Sequence, residues 1–553
     1  MKIALAQLNY HVGNFESNTT KIIEAIENAQ NDRCDLIVFS ELAICGYPPL
    51  DLLEREEFVE QCLQQVNLIA QKCKSITAIV GGPSINPEPQ GKNLYNSAFV
   101  LNEGVIKSIH HKTLLPNYDV FDEYRYFQPN KTFSLVKVKD KKIALTICED
   151  LWDEQPVANS FAKSKLYTQS PMKELKQLDP DFVVNIAASP FSYNQGQIRQ
   201  QIIRGKAAKN KIPFIYVNQI GANTELVFDG SSLVVNSQGK IVNQLNSFQE
   251  DIQYCQLEDI EQANIIEPSP NEKLNMIHDA LVLGVKDYFG KMGFKKATLG
   301  LSGGIDSAVT LVIAVRALGA ENVRVLLLPS KYSSDHSIKD AEDLANNLGI
   351  EQNIVPIKDI VDSFESTLAP LFEGLKPDVT EENIQARVRG TVLMALSNKF
   401  GHILLNTSNK SEAAVGYGTL YGDMNGGLSV LGDIYKTDVF ALARYINRNE
   451  EIIPENTIVK PPSAELRPDQ KDSDSLPDYD VLDQVLFNYI EKNESPAKII
   501  AAGFDQNIVN KAVRMVNINE YKRFQTAPII RVSSKAFGLG RRIPLVSSIQ
   551  LQR

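Results

Sequence analysis

Gly300-Leu301-Ser302-Gly303-Gly304-Ile305-Asp306-Ser307 decides how the second half of this chain is built. A short apolar run, residues 297–299, precedes it, and a stretch of helical spacing, residues 308–318, follows. Strand, glycine-rich turn and helix in that order form an anion site. The glycines let the backbone approach closely, and the N–H groups that open the helix point at the anion. The turn lacks the Lys of a Gly-x-x-x-x-Gly-Lys-Ser loop and the three-glycine spacing of a dinucleotide fingerprint. Those two nucleotide folds are therefore disfavoured, and the Asp inside the turn needs another explanation.

Downstream, residues 323–328, 354–357 and 402–406 read as strands, and 338–348, 359–375 and 381–398 as mostly helical. Strands alternating with helices predict a parallel sheet covered on both faces. Three polar motifs interrupt that pattern. Glu381-Glu382-Asn383-Ile384-Gln385-Ala386-Arg387 opens a long helix, and Asn406-Thr407-Ser408-Asn409-Lys410-Ser411-Glu412 is a turn after a strand. Gly416-Tyr417-Gly418-Thr419-Leu420-Tyr421-Gly422-Asp423 comes next, and Lys436-Thr437 begins another helix.

Ser-Gly-Gly-x-Asp-Ser resembles the pyrophosphate-binding loop of the ATP pyrophosphatases, which adenylate a substrate and release pyrophosphate. The later motifs resemble the NAD synthetases within that family. One departure is Ser408, where the family more usually has Gly; the polar residues around it are kept. The resemblance implies a doubly wound parallel-sheet domain acting on ATP and deamido-NAD with Mg2+. Gly300, Leu301, Ser302, Gly303, Gly304, Ile305, Asp306 and Ser307, with Thr407 and Lys436, are then expected to bind ATP. Asn383, Glu412, Asp423 and Lys522 are expected on the deamido-NAD side, and Asp306 and Glu412 at the metal. Residues 461–476 are polar, proline-rich and too long for an ordinary connection, which suggests a lid over the substrates.

In the first half, three reactive side chains each follow a strand. Glu41 closes the apolar run 36–39, Lys112 follows strands at 96–101 and 105–110, and Cys148 follows 143–147. Loops at strand ends are where sheet folds carry chemistry. A thiolate nucleophile needs a base for its proton and a cation for the oxyanion, and these residue types supply both. Singly, Cys148 would read as an inert buried thiol and the charges as solvated surface. The ordered trio resembles the nitrilase superfamily over roughly residues 1–260, including 182–190, 213–218 and 225–232. That implies an α-β-β-α sandwich cleaving a carbon–nitrogen bond, with Cys148 as nucleophile, Glu41 as general base and then acid, and Lys112 as electrostatic stabiliser. Tyr118, Ser189, Glu149 and Trp152 are expected around glutamine. Gln195 stands where the glutamine-using relatives usually carry a basic residue. Either Arg199 substitutes for it, or glutamine binds more weakly here.

At 553 residues the chain exceeds one core, and two or more domains are expected. The proline-containing stretch Ile266-Glu267-Pro268-Ser269-Pro270-Asn271 suggests a glutaminase domain at 1–262, a linker at 263–271 and a synthetase domain at 272–553. A net charge of −10 argues against a broad nucleic-acid surface. Six scattered cysteines without a Cys-x-x-Cys pair suggest reduced thiols and a cytoplasmic location, and no run is long and apolar enough for a membrane span. The family implies at least a dimer. Together the halves resemble glutamine-dependent NAD synthetases, which hydrolyse glutamine to ammonia and glutamate, adenylate deamido-NAD with ATP and amidate it. A different ATP-pyrophosphatase amidotransferase and a non-catalytic glutamine or nucleotide sensor are the competing readings.

Overall fold

The computed structural model describes residues 1–154, 165–267, 273–468 and 470–548. The chain forms two compact units, Met1–Asn271 and Glu272–Arg553. Residues 268–272, which include the C-terminal part of the expected linker, lie outside the described residues.

The first unit is built on two six-stranded sheets. One runs in the order Asp251–Gln256, Lys2–Gln7, Leu36–Val38, Thr77–Ile85, Leu94–Asn102, Val105–His111. The other runs Ile241–Gln244, Leu233–Val235, Phe214–Asn218, Phe182–Ala187, Lys141–Ile147, Val136–Val138. Strand Lys2–Gln7 shows how the layers arise. Ile3 and Leu5 join a core shared with the second sheet, whereas Ala4 and Ala6 face helices Phe15–Asn31 and Glu56–Lys72. Period-2 alternation thus feeds two apolar layers, each free of water on both faces. On the far side, helices Pro171–Lys176 and Gln195–Asn210 cover the second sheet through Met172, Leu175, Ile203 and Ala207. This is the α-β-β-α sandwich.

Asn14 caps the first helix by accepting from Ser17 N. The helical stretch that follows strand Leu36–Val38 comes in two pieces. A 3-10 turn, Leu50–Glu54, ends at Arg55, whose extended backbone restarts the chain as Glu56–Lys72.

The second unit holds a parallel five-stranded sheet in the order Glu351–Ile354, Val323–Leu327, Ala297–Gly300, Ile403–Asn406, Leu428–Ser429. Ala297–Gly300 comes first in sequence and lies between Val323–Leu327 and Ile403–Asn406, so the winding reverses beside it. A crevice opens outside the carboxyl ends of strands at such a point. The edge strand lies three residues earlier than the periodicity suggests. Its residues are mostly exposed, so no apolar alternation marks it.

Candidate active sites

In the first unit the chemistry gathers where strand ends meet. Cys148 directly follows strand Lys141–Ile147 and has φ +44, left-handed for a non-glycine residue. Such a conformation is held only by surrounding structure. Asp150 supplies much of the hold: its carboxylate accepts from Ile147 N (3.0 Å), Thr113 N (3.0 Å) and Leu114 N (2.8 Å). One buried side chain therefore ties the Cys148 turn to the loop that carries Lys112.

Glu41 and Lys112 are fully buried. Lys112 Nζ lies 2.6 Å from Glu41 Oε1 and 2.9 and 2.8 Å from the two oxygens of Glu123. Glu41 Oε1 also accepts from Asn96 Nδ2 (2.7 Å), and its Oε2 from Ala188 N (3.0 Å). Tyr47 OH donates to Glu123 at 2.9 Å. Burial alone would lower the Lys112 ammonium, but Glu123 and Glu41 hold it well above its usual range. Burial pushes the Cys148 thiol well up, Glu41 adds to that, and Lys112 opposes it. Burial thus favours the neutral thiol at Cys148, with buried Glu41 and Lys112 nearby.

Glu123 was absent from the sequence reading. It sits on the four-residue helix Glu123–Tyr126, too short to show periodicity, and the chain around it mixes aromatic and charged residues. Burial raises its carboxyl, Lys112 opposes the rise, and Glu41 adds to it.

Around this centre, Tyr118 OH and Tyr167 OH both donate to Glu149 Oε1 at 2.8 Å. Burial lifts the Glu149 carboxyl to about 7 against those two donors. Tyr167 was also missed in sequence. Ser189 N donates to Asn218 Oδ1 (2.8 Å), and Trp152 packs against the core while its backbone N–H donates to Glu149 O. Gln195 begins helix Gln195–Asn210 and is half-buried. Arg199, the suggested substitute, is already engaged. Its NH1 and NH2 make a two-pronged pair with buried Asp229 at 3.0 and 2.6 Å. A guanidinium fork closed on one carboxylate does not also offer that face to a substrate carboxylate.

In the second unit a cavity of about 320 Å³ opens at the carboxyl ends of the strands. Gly300, Leu301, Ser302, Gly304, Ile305, Asp306, Ser307, Thr407, Glu412, Asp423 and Lys436 all line it. Gly303 sits behind the turn with φ +76; a Cβ there would meet Ser337 O at 2.2 Å. Only glycine fits that close approach. Ser302 Oγ accepts from Gly304 N (3.1 Å) and lies 3.2 Å from Ser307 Oγ.

Lys436 Nζ bridges Asp306 Oδ2 (2.5 Å) and Glu412 Oε1 (3.2 Å). Burial would lower this ammonium, but Asp306 and Glu412 keep it raised. Burial lifts the Glu412 carboxyl to about 8, with Lys436 opposing and Asp306 adding. Asn409 links the motifs: its side chain donates to Asp306 Oδ1 (2.8 Å) and accepts from Glu412 N (2.9 Å).

Asn383 and Lys522 do not line the cavity. Asn383 Oδ1 accepts from Thr419 Oγ1 (2.7 Å), and Lys522 Nζ donates to Gly416 O and Gly418 O, both 2.8 Å. Both are tied to the loop that ends at cavity-lining Asp423. The segment expected as a lid lies along the cavity, with 469 outside the described residues. Glu465 fastens it to Ser334 and Ser337, and Asp472 accepts from Tyr417 and Tyr479.

Two protein families match the chain: carbon-nitrogen hydrolase over residues 2–264 and NAD synthase over residues 277–526. The glutamine-dependent NAD(+) synthetase of Synechocystis sp. is 47% identical, with 100% of this chain and 99% of the relative covered. That of Thermotoga maritima is 41% identical, with 99% and 98% covered. A solved glutamine-dependent NAD+ synthetase from Acinetobacter baumannii, in complex with adenosine diphosphate, is 41% identical, with a TM-score of 0.77 and 99% of each chain covered. One from Cytophaga hutchinsonii shares the fold with a TM-score of 0.84 at 23% identity, covering 100% of this chain and 98% of that one.

Proposed function

The chain belongs to the glutamine-dependent NAD(+) synthetases, and from that premise we propose how its own residues divide the work. The protein hydrolyses glutamine to glutamate and ammonia, adenylates deamido-NAD with ATP, and amidates it to NAD with release of AMP and pyrophosphate. The observation that carries the division is the presence of two separate charged centres. One is a thiol beside a buried Glu–Lys–Glu cluster, and the other a Lys between two carboxylates under a glycine turn.

In the first centre Glu41 takes the Cys148 proton as sulfur attacks the glutamine side-chain amide. Lys112 stabilises the oxyanion, and Glu41 returns the proton to the leaving nitrogen. Water, deprotonated by Glu41, then hydrolyses the thioester. Glu123 shares Lys112 with Glu41 and keeps the ammonium charged throughout. Glu149, flanked by Tyr118 and Tyr167, pairs with the substrate ammonium, and Ser189, Trp152 and Gln195 complete the pocket.

In the second centre the nicotinate carboxylate attacks the ATP α-phosphorus. Ser302, Gly304 and Ser307 hold the departing pyrophosphate, Lys436 neutralises its charge, and Thr407 contacts ATP. Asn383, Asp423 and Lys522 hold the deamido-NAD side, with Glu412. Asp306 and Glu412 fit Mg2+: both offer hard oxygens beside the phosphate turn. Among the described residues no larger cage of His, Cys, Asp or Glu surrounds them. A divalent cation of this kind takes its remaining ligands from phosphates and water. It would supply charge neutralisation on the phosphates.

Free thiols at all six cysteines support a reducing, cytoplasmic setting. No helix among the described residues is long and apolar enough to cross a membrane. Exposed Leu371, Leu375, Val379 and Phe400 support self-association through the synthetase unit.

The test is NAD formation from deamido-NAD, ATP and Mg2+ with glutamine or ammonium as nitrogen source. Cys148→Ala is expected to abolish glutamine use and retain ammonium use. Equal loss with both sources would overturn the assignment of Cys148 to the glutamine half.

A further inference from the structure

Glu412 and Lys436 meet at 3.2 Å, yet they stand on two different helices, Lys410–Val415 and Lys436–Ile446. Neither helix is a strand of the sheet, so the ladder does not fix their separation. Apolar packing brings them together: Ala414, Val415 and Tyr435 share a core with Leu482, Val485 and Leu486. Such packing is non-directional and leaves the rotation and slide of one helix against the other loosely set. Polar links add direction to it: Lys410 N donates to Ile434 O at 2.8 Å, and a side-chain device stands beside that bond.

That device is a closed ring around Asp483, a buried carboxylate on helix Tyr479–Leu486 that does not line the ATP cavity. Its Oδ1 accepts from Ser411 Oγ at 2.5 Å and its Oδ2 from Thr437 N at 2.9 Å. Ser411 Oγ in turn accepts from Lys436 N at 2.9 Å. Ser411 is the neighbour of Glu412, and Lys436 and Thr437 open the second helix. One carboxylate thus grips the backbone on which each charged partner stands. It also satisfies an N–H that a helix start leaves without an intrahelical partner, and its charge suits that end of the helix dipole.

We propose that Asp483 is a positioning residue for the ATP half of the reaction: through Ser411 it sets the spacing of Glu412 and Lys436 against the phosphates. The proposal rests on the assignment of Glu412 and Lys436 to that half. Asp483 touches neither substrate nor metal ligand, and acts only through the two helices. An amide at 483 is a poorer substitute. With its oxygen on Thr437 N–H, its NH2 faces Ser411 Oγ, so the Ser411 hydroxyl proton loses its acceptor and the negative charge at the helix start is gone.

The experiment measures NAD formation from ammonium by the full chain, with glutamine hydrolysis followed in parallel. Asp483→Asn and Ser411→Ala should each lower kcat for ammonium-driven synthesis roughly tenfold or more, with a smaller change in KM for ATP, because the spacing matters most once charge has moved. Ser411→Thr keeps the hydroxyl and should stay within about threefold of the parent. The double variant should be no worse than the weaker single, since both break one ring. Glutamine hydrolysis should be unchanged in all of them, and recovery in Ser411→Thr together with the kcat-against-KM split separates positioning from unfolding of the synthetase unit. Ser411→Ala with unchanged kcat, or singles that multiply in the double variant, would overturn the proposal. A parent protein that forms no NAD from ammonium would overturn the functional assignment beneath it instead.

Discussion

At the scale of single residues, burial sets the chemistry of the glutamine site. Burial pushes the Cys148 thiol well up, Glu41 adds to that, and Lys112 opposes it, so under the proposed roles its reactivity would depend on those two neighbours. Glu149 shows the same physics in a titratable range. Its folded-state pKa of about 7 lies above the ordinary 4.5 because ionising it means burying a charge. The folded chain therefore holds this proton more tightly than the unfolded chain. Its contribution to stability is complete below about pH 4.5 and is lost as pH rises through about 7. Substrate reverses that preference, since an ammonium partner favours the carboxylate. The KM for glutamine should therefore fall as pH rises through about 7, and Glu149→Gln should raise KM and flatten that dependence. Glutamine hydrolysis measured from pH 6 to pH 8 checks both, about one unit either side of that value. A KM that is flat in the parent would remove Glu149 from substrate recognition. Cys148 and Glu41 stand out in the sequence because they close apolar runs, and Lys112 because it follows two short strands. Glu123 and Tyr167 do not, because they reach the site from irregular stretches whose spacing carries no period. Asp483 is hidden differently: it looks like one more acid on an amphipathic helix until its two donors, Ser411 Oγ and Thr437 N, are seen.

At the scale of elements, the glycine turn shows why a motif survives the passage from sequence to structure. Gly303 approaches the backbone of Ser337, at the start of helix Asp335–Leu348, more closely than any side chain allows. Gly303→Ala must displace one of them, and the left-handed φ adds strain of about 1–3 kcal/mol. Synthesis should fall sharply from glutamine and ammonium alike, while glutamine hydrolysis persists. Parallel assays of the two activities separate this from general unfolding, and retained synthesis would mean the turn does not hold phosphate. Local geometry of this kind is written in the residues themselves. The strand at Glu351–Ile354 and the break at Arg55 are not, because an exposed edge and a one-residue interruption leave the hydrophobic pattern nearly intact. The segment after Lys460 was legible as unusual from its length and prolines. Its fastening through Glu465 and Asp472 depends on partners far away in sequence.

At the scale of the whole molecule, the two reactions meet through one small molecule whose reactivity depends on a proton. Ammonia is a nucleophile and ammonium is not, so synthesis from added ammonium follows the neutral fraction and should climb steeply with pH. Cys148→Ala isolates that behaviour, because it keeps the adenylating site and removes the internal source. Under the proposed roles nitrogen from glutamine is different at birth: with one proton from Glu41 it would leave as neutral ammonia. If it reaches the adenylate before it equilibrates with bulk water, glutamine-driven synthesis by the parent chain should rise less with pH than ammonium-driven synthesis by Cys148→Ala. The ratio of the two rates should then be largest near pH 7 and shrink towards about pH 9, as more of the added nitrogen becomes neutral. Both rates are measured at saturating ATP and deamido-NAD, with saturating glutamine for the parent, so that the ATP half is common to each and the pH-dependent KM for glutamine does not enter. Parallel pH profiles would mean that ammonia mixes with solvent before it reacts, and that fusing two domains in one chain serves supply rather than delivery.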